Sequence, residues 1–133
     1  MAVKNVTLTP SPNGATNFVR AVWRLANGDT GSLLESMDFA DGTVQIGGIG
    51  SGTAPDGASV AASVFGTGGS VTMEGSNDGV NFFALTDLQG NAITKTASAL
   101  EVIEEVPRYF RPNCTGGDGT TDIWVTLWGR RNR

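Results

Sequence analysis

From residue 18 to residue 25 the chain alternates: Val19, Ala21, Trp23 and Leu25 fall on one face of an extended strand, and Arg20, Val22 and Arg24 on the other. A period of two with one apolar face predicts a half-buried strand. It stops at Asn27-Gly28-Asp29, residue types that accept the left-handed backbone of a tight turn, so a hairpin turn is expected there. Leu33, Leu34 and Met37 form a short apolar segment that suits a strand or one helical turn, and Asp41-Gly42 leads into a short strand over Thr43 to Ile46.

The clearest unit is residues 71 to 85. Val71 and Met73 alternate with Thr72 and Glu74, the chain turns through Gly75-Ser76-Asn77-Asp78-Gly79, and a second run from Val80 to Leu85 carries Phe82 and Phe83. This predicts a β-hairpin. Residues 100 to 106 (LEVIEEV) are strand-like up to Pro107, and Tyr109-Phe110-Arg111 is a short strand before Pro112, since proline cannot donate to a central ladder. The final run, Asp122 to Trp128, puts Ile123, Val125 and Leu127 on one face and Trp124, Thr126 and Trp128 on the other. Both faces are apolar, whereas a strand in a sandwich ordinarily wets one of them. Trp124 and Trp128 therefore need a cover, and the candidates are an oligomer interface, a partner protein, a stacked sugar, or a loop packed over a central strand.

Several short strands separated by turn signals specify an all-β chain, a single-domain sandwich of jelly-roll type with about seven to nine strands. The domain is expected over residues 18 to 133. Residues 1 to 17, with Pro10 and Pro12 and few large apolar groups, are expected as an extended arm that orders only against a neighbour. Val3, Val6 and Leu8 are its candidate contacts with that neighbour.

Composition narrows the chemistry. The chain has no His, which removes Ser-His-Asp and Cys-His catalysis and the usual zinc sites, and its single cysteine, Cys114, allows neither an intramolecular disulfide nor a CxxC site. The glycine-dense run from Gly47 to Gly57 is expected as a surface loop or flexible arm. No Lys follows its glycines, and the next run, Ala58 to Phe65, is too short and β-branched for the helix a phosphate loop or dinucleotide fingerprint requires. Asp78 with nearby carbonyls could hold Ca²⁺, but Asn-Asp-Gly is ordinary turn vocabulary and one loop carboxylate is too few for a dedicated site. Glu104 and Glu105, as neighbours on a strand, point to opposite faces and cannot flank one bond as a glycosidase pair does; they are expected to be solvated or paired with Arg. No enzyme activity, cofactor or metal is expected. With no apolar stretch near 18 residues and no charged, apolar and small-residue leader, the expectation is a soluble protein made in the cytoplasm, without a membrane partner.

The net charge of −4 argues against nucleic-acid binding, which needs a basic footprint. Its distribution is uneven: eleven acids and one base lie between Asp29 and Glu105, while five Arg stand against two Asp from Arg108 onward. Arg130, Arg131 and Arg133 form a positive pole that can dock on an acidic partner surface, such as that of a second copy, or remain solvated.

Two motifs, Glu74-Gly75-Ser76-Asn77-Asp78-Gly79 and Arg108-Tyr109-Phe110-Arg111-Pro112, followed by Gly116-Gly117-Asp118-Gly119-Thr120 and the strand DIWVTLWGRR, resemble small tailed-phage virion proteins. There an EGSNDG hairpin and an RYxRP strand recur in β-sandwich modules of decoration, cement and tail proteins. The same motifs are similar to the C-terminal half of discoidin-type carbohydrate- and lipid-binding domains, which usually carry paired cysteines. The phage resemblance spans residues 71 to 130. It implies a capsid decoration protein on the virion surface that binds the major capsid protein and strengthens the lattice as a homo-oligomer, a trimer by that resemblance. Trp124 and Trp128 are then the expected oligomer interface, and Val3, Val6, Leu8, Arg130 and Arg131 the expected capsid or partner contacts. The alternative is a tail or fibre module binding host glycans.

Overall fold

The structure, a computed structural model, describes residues 2–10, 18–35, 41–48 and 62–130. Among them are twelve strands and no helix, so no helix is long and apolar enough to cross a membrane. Sheet A contains β1 (Val3–Lys4), β4 (Thr30–Gly31), β5 (Leu34–Glu35), β7 (Ser70–Ser76), β8 (Phe83–Ala84), β9 (Thr94–Lys95) and β11 (Tyr109–Thr115). Sheet B contains β2 (Thr7–Pro10), β3 (Phe18–Leu25), β6 (Asp41–Ile46), β10 (Ala99–Val102) and β12 (Ile123–Arg130), in the order β10-β6-β12-β3-β2.

The strand order is that of a jelly roll. β4 and β5 both pair with β11, and β8 and β9 both pair with β7, so each couple occupies one strand position. Sheet A then reads β4/β5, β11, β7, β8/β9, and the main part of sheet B reads β10, β6, β12, β3. From β3 onward every connection between positions crosses to the other sheet except the β7–β8 hairpin, which gives eight positions wound as two Greek keys.

The alternations build the core. Ala21, Trp23 and Leu25 of β3, Val44 and Ile46 of β6, and Ile123, Val125 and Leu127 of β12 face Val71 and Met73 of β7 and Phe110 and Cys114 of β11, all essentially removed from solvent. Each large apolar side chain so buried contributes roughly 1.5–3 kcal/mol relative to exposure. Gly31 lets sheet A approach Trp23, because a Cβ there would stand 2.5 Å from Pro112 Cδ and 2.7 Å from the Trp23 ring.

Several expectations change. Asn27-Gly28-Asp29 turns the chain but joins no hairpin: β3 lies in sheet B and β4 in sheet A, so the turn is an arch between the layers. Its Asp29 is buried, and its carboxylate accepts the N–H groups of Ala2 and Ala26 and the Lys4 ammonium at 3.1, 2.9 and 3.2 Å. The N-terminal residues therefore do not wait for a neighbour. β1 pairs with β4 in parallel and β2 pairs with β3 antiparallel, adding a strand to each sheet, while residues 11–17 lie outside the described residues.

The strand begun by Tyr109 does not stop at Pro112 but runs to Thr115, because β4 and β5 leave a gap in the ladder opposite the proline, where its missing N–H is not needed. Leu34 is in a strand, and Met37 falls outside the described residues. Of the glycine-dense run, Gly47 and Gly48 are described, both with positive φ, and residues 49–57 are not. The strand expected over residues 100 to 106 ends at Val102; beyond it Ile103 is buried and donates its N–H to Gly42, and residues 103–108 cross from sheet B to sheet A.

Candidate functional site

The outer surface of sheet B carries the apolar residues that alternation left over. Opposed residues in an antiparallel pair share a face. The register therefore aligns Val102, Thr43, Trp128 and Arg20 in one row, and Leu100, Gln45, Thr126, Val22 and Thr7 in the next. Leu100 is 64% exposed and Val102 41% on β10, and Trp128 is 38% exposed on β12, with Thr43 and Gln45 of β6 in the rows between them. β12 is central, as one of the four possible covers required, yet Trp128 stays at the surface.

Trp124 is placed differently. It is half-buried, with the Arg24 guanidinium 4.9 Å from its ring centre, and Arg24 is held by Asp122 through Nε–Oδ1 and Nη2–Oδ2 bonds of 2.7 and 2.6 Å. The bond to Arg24 keeps the Asp122 carboxyl below its ordinary range. The Trp124 backbone N–H donates to Ser63 Oγ. Two side-chain donors under this face, Trp124 Nε1 and Arg20 Nε, are buried and have no hydrogen-bond partner.

A second feature lies where the β7–β8 turn meets residues 105–107. An open cleft of about 440 Å³ is lined by Ser76, Asp78, Phe83, Glu105, Val106 and Pro107 among others. The turn is rigid by construction. Asp78 Oδ1 accepts the Ser76 hydroxyl and the N–H groups of Val80 and Asn81, and Oδ2 accepts Asn81 Nδ2. The backbone bonds from Asn81 and Val80 lead in holding the Asp78 carboxyl far below the usual range. Gly79 supplies the φ of +75° the turn needs. The Asn-Asp-Gly motif is thus accounted for by the turn, and no group of three or more metal-ligating side chains occurs among the described residues.

Glu104 and Glu105 are exposed, as expected, but do not point to opposite faces of a strand. They lie outside any strand, and both carboxylates reach the Thr86 hydroxyl, which donates to Glu105 Oε2 and approaches Glu104 Oε2 at 3.5 Å, while Thr86 N–H donates to Glu105 Oε1 at 2.8 Å. Burial acts to raise the Glu105 carboxyl, but the bonds from Thr86 outweigh it and leave the group below its ordinary value.

The expected contact residues do not form one site. Val3 is 69% exposed on β1 in sheet A, Leu8 is 42% exposed on β2 in sheet B, and Val6 packs against the core. Arg130 ends β12 opposite Phe18 and Asp41, and Arg131 lies outside the described residues. Leu100 and Val102 escape a reading of the sequence because LEVIEEV, taken alone, is a strand without a partner; the available signal is the alternation of Leu100 and Val102 with Glu101. The cleft escapes it too, since no local pattern encodes it. A scan against protein-family models and a search of curated proteins found no match to this chain.

Proposed function

We propose that the chain is a virion structural protein of the capsid-decoration type, which binds the major capsid protein as a homo-oligomer and reinforces the head lattice. The observation that carries this reading is the exposure of Leu100, Val102 and Trp128 on one outer face of sheet B, large apolar groups that a second folded surface would cover. The jelly-roll order and the resemblance of the 71–130 segment support it.

Light scattering behind size-exclusion chromatography, followed by co-sedimentation with capsids, tests this. The wild-type chain is expected to be oligomeric and to sediment with capsids, and Trp128→Ala and Trp124→Ala to dissociate it, Trp128→Ala the more strongly because its ring is the more exposed. A glycan array that lights up while capsids are ignored would reverse the order in favour of a tail or fibre module.

A further inference from the structure

Two arginines in this fold share one packing unit, an aromatic ring on one side and a carboxylate on the other. Arg24 lies over Trp124 and is held by Asp122; Arg111 lies 3.5 Å from the Phe82 ring centre while its Nε donates to Glu74 Oε1 at 3.0 Å. The cleft beside the β7–β8 turn brings together the same residue types, an aromatic and a glutamate, without an arginine. Phe83, 71% exposed, and Glu105 both line it, together with Val106, Pro107 and Asp78. Among the described residues no guanidinium stacks on Phe83.

Asp78 spends its acceptor positions within the turn, and the unused capacity lies on Glu105. A carboxylate has about four acceptor positions, and the bonds from Thr86 occupy two on Glu105. Guanidinium is the complementary group: planar, always charged, with five N–H donors and no acceptor, and able to stack on a ring while it bonds a carboxylate.

We infer that this cleft receives an arginine side chain from residues 130–133 of a second copy of the chain, an inference that rests on the homo-oligomer proposed above. That segment carries three of the nine basic residues, whereas the cleft belongs to the stretch with eleven acids and one base. Placement agrees. Arg130 is opposite Asp41 at the start of β6, Gly42 binds Ile103, and residues 103–108 lead from there into the cleft wall, so β12 ends, at Arg130, at the end of the sandwich where the cleft lies. Two copies meeting at that end bring each arginine segment to the other's cleft.

Sedimentation velocity on the full chain tests this. Glu105→Gln, Phe83→Ala and the double variant Arg131→Ala with Arg133→Ala should each weaken self-association about tenfold or more. Mixing Glu105→Gln with the double variant should yield a heterodimer that neither forms alone, because one intact cleft then meets one intact arginine segment. The inference is overturned if these variants associate as the wild type does, or if mixing restores nothing. In that case dissociation by Trp128→Ala still upholds the oligomer, whereas a wild type that stays monomeric overturns both. A peptide Gly-Arg-Arg-Asn-Arg should shift the amide resonances of Gly79 and Phe83; shifts caused by a neutral saccharide and not by the peptide would assign the cleft to a glycan instead.

Discussion

The two outer faces of the sandwich sit on the same core and have opposite characters. On sheet A the polar residues satisfy one another: Glu74 accepts from Arg111 Nε and Asn113 Nδ2, Thr30 donates to Asn113 Oδ1, and Thr72 and Thr94 share a hydrogen bond across β7 and β9. On sheet B the matching rows carry Leu100, Val102, Val22, Trp124 and Trp128 among Thr43, Gln45, Thr126 and Arg20, and Leu100, Val102 and Trp128 are exposed. A face that closes its own hydrogen bonds has little to gain from a partner. One that leaves large apolar groups exposed gains from being covered.

The comparison requires that the faces share one core, and the largest expected effect tests that. Trp23 is fully buried on β3 of sheet B, yet its indole donates to the Ser32 carbonyl between β4 and β5 of sheet A, at 3.1 Å. Trp23→Ala should lower unfolding free energy by about 3–5 kcal/mol, read from denaturant midpoints, with both sheets lost in one transition. Two separated transitions would mean that the layers are independent.

Next in size is the pair Glu74→Ala and Trp128→Ala. Removing Glu74, which is largely buried, takes the acceptor from Arg111 and Asn113 and should cost about 1–3 kcal/mol while leaving association unchanged. Trp128→Ala should do the reverse, with a stability change under about 1 kcal/mol in the isolated chain and a large loss of association. Denaturation and light scattering on the two variants separate the faces. If Trp128→Ala destabilises as much as Glu74→Ala and leaves association intact, the sheet B face is a structural surface like the other.

How far this asymmetry is legible in the sequence depends on the element. β3, β7 and β12 announce themselves by alternation, and the two-faced apolarity of residues 123–128 is plain from the order of its side chains. The arch at Asn27-Gly28-Asp29 is not, since the same turn residues serve a hairpin or a crossing between layers and only the long-range partners of β4 decide. The N-terminal strands are hidden for a related reason. Residues 3–10 have little to bury alone, and what orders them is backbone pairing with β4 and β3 and the Asp29 carboxylate reaching Ala2 and Lys4. The cleft needs the 105–107 crossing laid against the 77–83 turn, a meeting of residues more than twenty apart.

At the end of the sandwich away from the cleft, acid should loosen the loops before the sheets. Asp118 accepts the Thr120 hydroxyl, the Thr67 N–H and the Thr120 N–H, and these bonds depress its carboxyl from 3.8 to about 2. A depressed folded value means the stabilisation is present above the ordinary value and is lost as pH falls from about 4 towards 2. Asp118→Asn should flatten the acid limb of the stability curve in that window and change nothing at neutral pH beyond a small loss. An acid limb identical to that of the wild type would remove Asp118 from the account.

The smallest effect concerns the one place where sheet B does satisfy itself. Arg24 spans the Trp124 ring and the Asp122 carboxylate, and its side chain is 53% exposed, so screening keeps the pair to under about 1 kcal/mol. Arg24→Lys keeps the charge but loses the planar fork and the stack. Stability should fall by a few tenths of a kcal/mol at most, since surface pairs contribute little, while the Trp124 indole resonance shifts and its N–H, already without an acceptor, exchanges faster with solvent. Added salt should abolish the stability difference and leave the resonance difference in place, because stacking on the ring screens less than the ion pair does. If the indole is unmoved by Arg24→Lys, something other than the guanidinium covers Trp124, and the contrast between the faces would then rest on Trp128, Val102 and Leu100 alone.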